Sequence, residues 1–339
     1  MNRLCWLAVA MVLALAGPAR ADDGWVILTY HRFGQDQYPT TSVRLDQFDR
    51  QLAAIRDGGY TVLPLPELVA ALNAGAPLPP RAVAITVDDA YTSLYREGWP
   101  RLRAHGFPFT LFVSTDAADD GAGDLMSWDQ IREVAADPLV TIGHHAAAHA
   151  HMADLDLAAA AADLDRADAR FAAELGHVPA LFAYPYGEYG AALRDLVAGR
   201  GFAAAFGQQS GVVDRWADRY GLPRFPINAN TAFDAFRLRL GAMPLPATES
   251  EPADLLVGDG NNPPAVSFRL VQPDDAGGPL RIDAMTCYFD GSPVAFSRDG
   301  DRIAIGLPRA LGQGRSRLNC TMPAADGRWR WHGIQFYRP

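Results

Sequence analysis

The chain contains no lysine; every one of its 30 basic residues is an arginine. Schiff-base catalysis and phosphate binding through a P-loop lysine are therefore excluded. Cysteine is scarce, with 3 in 339 residues, and none sits in a metal-ligand pattern, so a thiolate metal centre is not expected. Positive charge is in deficit. The formal net charge of −9 argues against an electrostatic grip on nucleic acid or anionic lipid, while a neutral or partly cationic polymer would not be repelled. Beyond the start of the chain, no stretch approaches the roughly 18 uninterrupted apolar residues that a membrane span requires.

The start itself carries an address. Met1-Asn2-Arg3 is a positive opening, residues 4–17 form a short apolar run, and Ala19-Arg20-Ala21 is the small-x-small pattern cut by signal peptidase. Residues 1–21 are expected to be a signal peptide, with no transmembrane segment left after cleavage and a periplasmic or secreted product. Two cysteines then remain, Cys287 and Cys320. An even count in an oxidising compartment predicts a disulfide between them.

The body of the chain alternates short apolar runs with amphipathic ones. Strands are expected at 26–33, 82–89, 107–115, 140–145, 181–186 and 202–207, and helices at 45–57, 92–105, 128–136, 157–175 and 191–200. That alternation predicts an α/β fold, a parallel sheet covered by helices, open or closed into a barrel. Past Met243 the character changes. Turn pairs such as Asp290-Gly291, Asp299-Gly300 and Asp326-Gly327 come at close intervals with β-type runs between them, the pattern of a small all-β sandwich. The expected division is 22–245 for the α/β part and 246–339 for a β-rich accessory part.

Three clusters fall where expected strands end, the place where parallel α/β folds build their sites. Thr86-Val87-Asp88-Asp89 puts two adjacent carboxylates at a strand end. Their side chains point to opposite sides, so one can hold a metal while the other faces substrate. Residues 144–151 contain His144, His145, His149 and His151, four of the chain's eight histidines. His145 and His149 stand one helical turn apart if that loop enters a helix, and both would then face one cation, with His144 or His151 as substitutes. Two imidazoles and a carboxylate suit zinc, cobalt or nickel. Tyr184-Pro185-Tyr186-Gly187 makes a stiff turn offering aromatic faces to sugar rings and a fixed N–H to an oxyanion.

Together, in this order, the three clusters resemble the polysaccharide deacetylase family, carbohydrate esterase family 4, over about Trp25 to Leu240. The resemblance implies a distorted (β/α) barrel deacetylase domain. It makes Asp88 the general base, and Asp89, His145 and His149 the ligands of a divalent metal. It also makes Tyr186 the backbone oxyanion donor, with Tyr184, Pro185 and Tyr186 touching substrate. Thr29-Tyr30-His31 and the run 182–189 are similar to the branch that deacetylates exopolysaccharide, and so are Asn319-Cys320-Thr321 and the run 327–331. This chain departs from the family at three points. Ala183 stands where an arginine usually orients the base, Ala146 follows the first metal histidine where a hydroxyl is usual, and residues 222–230 lack the Leu-x-His that commonly supplies the acid. His31 is then the candidate acid.

The reaction these expectations describe is metal-dependent removal of N-acetyl groups from a β-linked N-acetylglucosamine polysaccharide, with release of acetate. Alternatives are an O-acetyl esterase on xylan-like glycans, a peptidoglycan deacetylase, or a sugar-binding protein with a decayed site. Acetylated polysaccharide is the expected partner, and an export-machinery contact through the C-terminal part is a further one. Trp329, Trp331, Phe336 and Tyr337 are read as core or docking residues before a sugar platform.

Overall fold

The computed structural model describes residues 24–121 and 123–339; the signal-peptide expectation for residues 1–21 lies outside them. Six strands form the parallel centre of a nine-stranded sheet, in sequence order: β1 (Gly24–Tyr30), β2 (Ala82–Asp88), β3 (Phe109–Val113), β4 (Val140–His144), β5 (Leu181–Ala183) and β6 (Ala204–Phe206). A strand buried on both sides is largely apolar, and the apolar residues of β2 show how the two sides divide. Val83, Ile85 and Val87 join the core beneath the helices with Phe48, Leu52 and Ile55. Ala82 and Ala84 instead join the cluster holding Trp25, Phe112, Leu181 and Phe206.

The sheet curls, and the segment 222–227 stitches its two edges together. Leu222 exchanges backbone hydrogen bonds with Ala205 and Gly207 beside β6, Arg224 N–H donates to the Gln209 carbonyl, and Ile227 N–H donates to Thr29 in β1. Phe225–Pro226 pairs parallel with β1. Residues from opposite sides of the curl therefore meet over the strand ends.

Helices Leu45–Asp57 and Leu157–Leu175 occupy the expected residues. Asp156 caps the second by accepting from Ala159 N–H, and Ser127 with Gln130 forms a capping box on Trp128–Ala135. The single helix expected at 92–105 is instead a π-helical turn, Leu94–Gly98, followed by Trp99–Ala104. Pro100 has no N–H to give to an α-helical ladder there. Helices Leu65–Ala74 and Phe233–Leu240 were not anticipated. Among the described residues no helix is long and apolar enough to cross a membrane.

The C-terminal part is all β-structure apart from short turns. Met243–Pro244, Trp329–Arg338, Gly314–Pro323, Thr286–Phe289 and Ser292–Val294 make one sheet in that order. Ala247–Glu251, Val266–Leu270, Arg302–Ile305 and Phe296–Asp299 make the other. Phe268 and Ile303 from one sheet share a core with Cys287, Leu318 and Phe336 from the other, as in a sandwich. The Cys287–Cys320 disulfide joins residues directly opposite each other on neighbouring strands. Arg330 is buried against Asp275 through two contacts of 2.7 and 2.6 Å. Phe336 lies in the sandwich core, Trp331 packs edge-on against Phe225, and the Tyr337 hydroxyl donates to Asp154 across the seam. Trp329 is the exposed member of the aromatic set.

Candidate active site

The carboxyl ends of β1, β2, β4 and β5 converge. Asp88 is the last residue of β2 and is fully buried. Asp89 follows at φ +73°, which turns its side chain away from the strand's own alternation. β4 ends on His144, so His144 and His145 leave it on opposite sides. His145 faces the site, while His144 is buried among Phe171, Phe182 and Phe202, with its Nε2 3.2 Å from Asp168. Burial, against the pull of Asp168, pushes the His144 pKa down. His144 thus packs as a core histidine, and the imidazoles that come together with Asp89 are those of His145 and His149.

His149 arrives by a loop, not by a helical turn. Ala146 and His149 both have left-handed backbones, at φ +63° and +51°. Asp163, on the buried face of helix Leu157–Leu175, accepts from Ala147 and Ala148 N–H at 2.9 and 3.2 Å and pins that loop. The left-handed non-glycine residues also include Asp89, Ala90 and Tyr186. Such conformations are costly and collect where a site requires them.

One ligand atom from each of Asp89, His145 and His149 lies within 4.8 Å of the other two. His145 Nε2 and His149 Nε2 are 3.4 and 3.0 Å from Asp89 Oδ1. Asp89 Oδ1 and His145 Nε2 are buried without a hydrogen-bond partner among the described residues. His145 Nδ1 lies 2.7 Å from the Ala183 carbonyl. That contact requires the proton on Nδ1 and leaves the Nε2 lone pair directed at the cluster. Buried, unsatisfied donor atoms converging on one point are what a cation site requires, so these residues fit a divalent metal. Burial alone would raise the Asp89 carboxyl, but the two imidazoles outweigh it and hold it well below the usual range.

Beside the cluster, Asp88 is gripped by Arg224. The guanidinium donates from Nη1 to Oδ1 at 2.7 Å and from Nη2 to Oδ2 at 2.9 Å. Its Nε donates to the Gly207 carbonyl at 2.9 Å. Burial raises the Asp88 carboxyl; Arg224 first, then His145 and His31, bring it below its ordinary value. Ala183 therefore does not leave the acid without an arginine. The guanidinium reaches it from the segment 222–227, where sequence reading had noted only a missing histidine. His31 stands just past the end of β1, with Nε2 3.9 Å from Asp88 Oδ2.

The turn Pro185–Gly187 closes the far side. Tyr186, at φ +59°, is partly exposed and sets its ring 4.6 Å from His149 and 4.0 Å from His151, stacked on the latter. Tyr184 is fully buried and its hydroxyl donates to the Tyr220 carbonyl, and Pro185 is buried too. These two, expected to touch substrate, pack beneath the turn instead. His151 is not in the cluster; its Nδ1 lies 2.6 Å from the buried Glu188 carboxylate. On the opposite shoulder, Tyr91 and Tyr38 sandwich the Arg32 guanidinium. Burial, then the Asp89 charge, push the Tyr91 phenol up to about 12.

Residues 75–205 match the family model for polysaccharide deacetylase. Over those residues the chain is similar to that family. Over 138 residues it is 30% identical to the poly-β-1,6-N-acetyl-D-glucosamine N-deacetylase of Escherichia coli (strain K12), covering 36% of this chain and 20% of that one. The chain thus spans about a fifth of that relative's length. Among solved structures, IcaB from Ammonifex degensii superposes with a TM-score of 0.53 at 26% identity over 65% of this chain and 96% of that one. The Streptococcus pyogenes deacetylase PplD, in complex with acetate, does so with a TM-score of 0.59 at 20% identity over 65% and 99%. That second likeness is one of fold.

Proposed function

We propose that the deacetylase domain removes N-acetyl groups from a β-linked N-acetylglucosamine polysaccharide, releasing acetate. The observation that carries this reading is the Asp89, His145 and His149 cluster standing beside the Asp88–Arg224 pair at the strand ends. The similarity to the Escherichia coli N-deacetylase supports the choice of sugar.

Asp89, His145 and His149 would hold the metal, and their two nitrogens and one oxygen favour zinc, with cobalt or nickel as competent substitutes. A divalent ion there supplies Lewis-acid polarisation of the acetamide carbonyl and of the attacking water. Asp88 takes the water's proton. Arg224 keeps that carboxylate ionised and aimed, so the acceptor is ready before substrate arrives. The Tyr186 N–H stabilises the oxyanion, and His31 returns a proton to the departing amine. The partly exposed Tyr186 ring beside His149 offers an aromatic surface to a chain of sugars lying across the cluster.

The same reading takes residues 1–21 as a cleaved leader, zinc as the resident metal and the periplasm or medium as the destination. It treats 22–245 as the deacetylase domain and 246–339 as an accessory domain whose exposed Trp329 face is free for an export-machinery contact. The deciding experiment measures acetate release from an N-acetylglucosamine oligomer. It compares chelated protein with protein reloaded with zinc, cobalt or nickel, beside Asp89→Asn. Metal-restored release that Asp89→Asn lacks is expected. Zinc-loaded protein inert on N-acetylated chains, but active on O-acetyl xylan, would replace this substrate with the ester.

A further inference from the structure

The accessory sandwich reaches the site at the carbonyl side of the Pro185–Gly187 turn. Strand Trp329–Arg338 alternates, with Ile334 and Phe336 in the sandwich core and Gln335 on the face turned to the barrel. Gln335 is 4% exposed, and its Nε2 donates to the Gly187 carbonyl at 2.9 Å and to the Tyr186 carbonyl at 3.3 Å. Its Oε1 accepts from Arg317 Nε at 3.0 Å, and Arg317 is its directly opposed neighbour on strand Gly314–Pro323. The amide is therefore fixed at both ends. Arg315, two pairs further along, donates from Nη1 to the Tyr186 carbonyl at 3.4 Å and holds Glu188 Oε1 at 3.5 Å.

The strand is seated closely enough for this to be a fixed relationship. A side chain at Gly333 would meet the Ser210 carbonyl oxygen at 2.0 Å, so only glycine lets the two backbones touch there. On its barrel side the turn is equally tight. A side chain at Gly187, at φ +69°, would lie 2.4 Å from Gln208 N.

Tyr186 occupies a left-handed conformation that a tyrosine does not choose unaided. Turning its peptide planes over would relax the backbone and swing both the carbonyls and the neighbouring N–H groups. The donors that oppose this come from residues 315 and 335, outside the barrel.

We infer that Gln335 and Arg315 are positioning residues for the deacetylase site: the accessory sandwich holds the Pro185–Gly187 turn in the conformation that points the Tyr186 N–H at the developing oxyanion. This rests on the oxyanion role proposed above for Tyr186. It makes the sandwich a component of catalysis and not only a neighbour of the barrel.

The test compares wild type, Gln335→Leu, Arg315→Met, and Trp329→Ala as a remote change in the same strand. In Gln335→Leu, kcat for acetate release is expected to fall by about 10- to 100-fold, as for a misplaced catalytic group. KM, zinc content and melting temperature should change little, and Trp329→Ala should match wild type. Hydrogen exchange at 184–188 is read in parallel, and faster exchange in Gln335→Leu is expected. Should wild type prove inactive on every acetylated glycan, the functional reading fails, but exchange still decides whether the strand holds the turn. Unchanged kcat per folded molecule together with unchanged exchange would overturn the inference. So would a loss of activity that merely follows a loss of folded protein. If Gln335→Leu does not fold, Arg315→Met carries the same comparison.

Discussion

Arg224 and Asp88 face each other as a two-pronged ion pair with both side chains fully buried. The two residues lie 136 positions apart in the chain. A buried pair stabilises little relative to an apolar pair, but breaking it strands a charge. Arg224→Met should therefore cost about 3–5 kcal/mol in urea unfolding. It should also lower kcat by about 100-fold or more, through loss of the poised proton acceptor. Adding Asp88→Asn to that variant should recover much of the stability and none of the acetate release. A single variant with wild-type stability would show that the pair is not formed.

The adjacent histidines at the end of β4 separate by function. His144→Ala should retain one zinc per chain and lose about 2–4 kcal/mol of stability, because it empties an aromatic shell. His145→Ala should lose the zinc. Chelation should lower the melting temperature of wild type and of His144→Ala while leaving His145→Ala unmoved, since a ligand stabilises only the state that binds it. Metal analysis with thermal melts checks both. Zinc lost from His144→Ala and kept by His145→Ala would reverse the assignment.

Acid should loosen the fold through His332. Its Nε2 is buried without a hydrogen-bond partner among the described residues, and burial pushes its pKa down to about 4. The unfolded chain takes up a proton at this position near pH 6.5, whereas the folded chain refuses it until about pH 4. Stability from this residue is whole above pH 6.5 and drains away as pH falls towards 4. Between pH 7 and 5 the share of the loss due to His332 should be about 1–2 kcal/mol, so that His332→Phe loses that much less than wild type, read by urea unfolding at the two pH values.

Opening the Cys287–Cys320 bridge, whose cysteines are 33 residues apart, should cost about 3–4 kcal/mol on the chain-entropy estimate. Cys320→Ser should show that loss in denaturant unfolding under oxidising conditions. A reductant should bring wild type down to the variant's midpoint.

The strand ends and their chemistry were legible because they are local. An apolar run, then Asp88-Asp89, or an apolar run, then His144-His145, announces a site within ten residues. Asp89, His145 and His149 could be named from the chain alone, and the structure gathers them. The choice of His145 over His144 depended on which side of β4 each leaves, which follows from pairing register. The helix on which the His145 to His149 spacing was conditional does not form, and His149 reaches its partners by a loop. Backbone at positive φ on a histidine has no signature in composition. Arg224 was hidden for a different reason. It meets Asp88 only because the segment 222–227 closes the curl between β6 and β1, and no spacing rule spans that distance. Leu65–Ala74 had a readable start, proline in its first turn, that went unused. Tyr184 looked like a surface aromatic because the run 182–189 is rich in such rings, yet only Tyr186, at the turned residue, reaches solvent.

Gln335 and Gly187, joined by a hydrogen bond, are 148 positions apart. A ribosome makes the catalytic turn long before it makes the residue that seats it. Asp89, His145 and His149 all precede the last sandwich strand, whose Gln335 holds the turn. If the turn acts as inferred above, a chain clipped before its last sandwich strand would keep Asp89, His145 and His149 together and lose the donors that seat the turn.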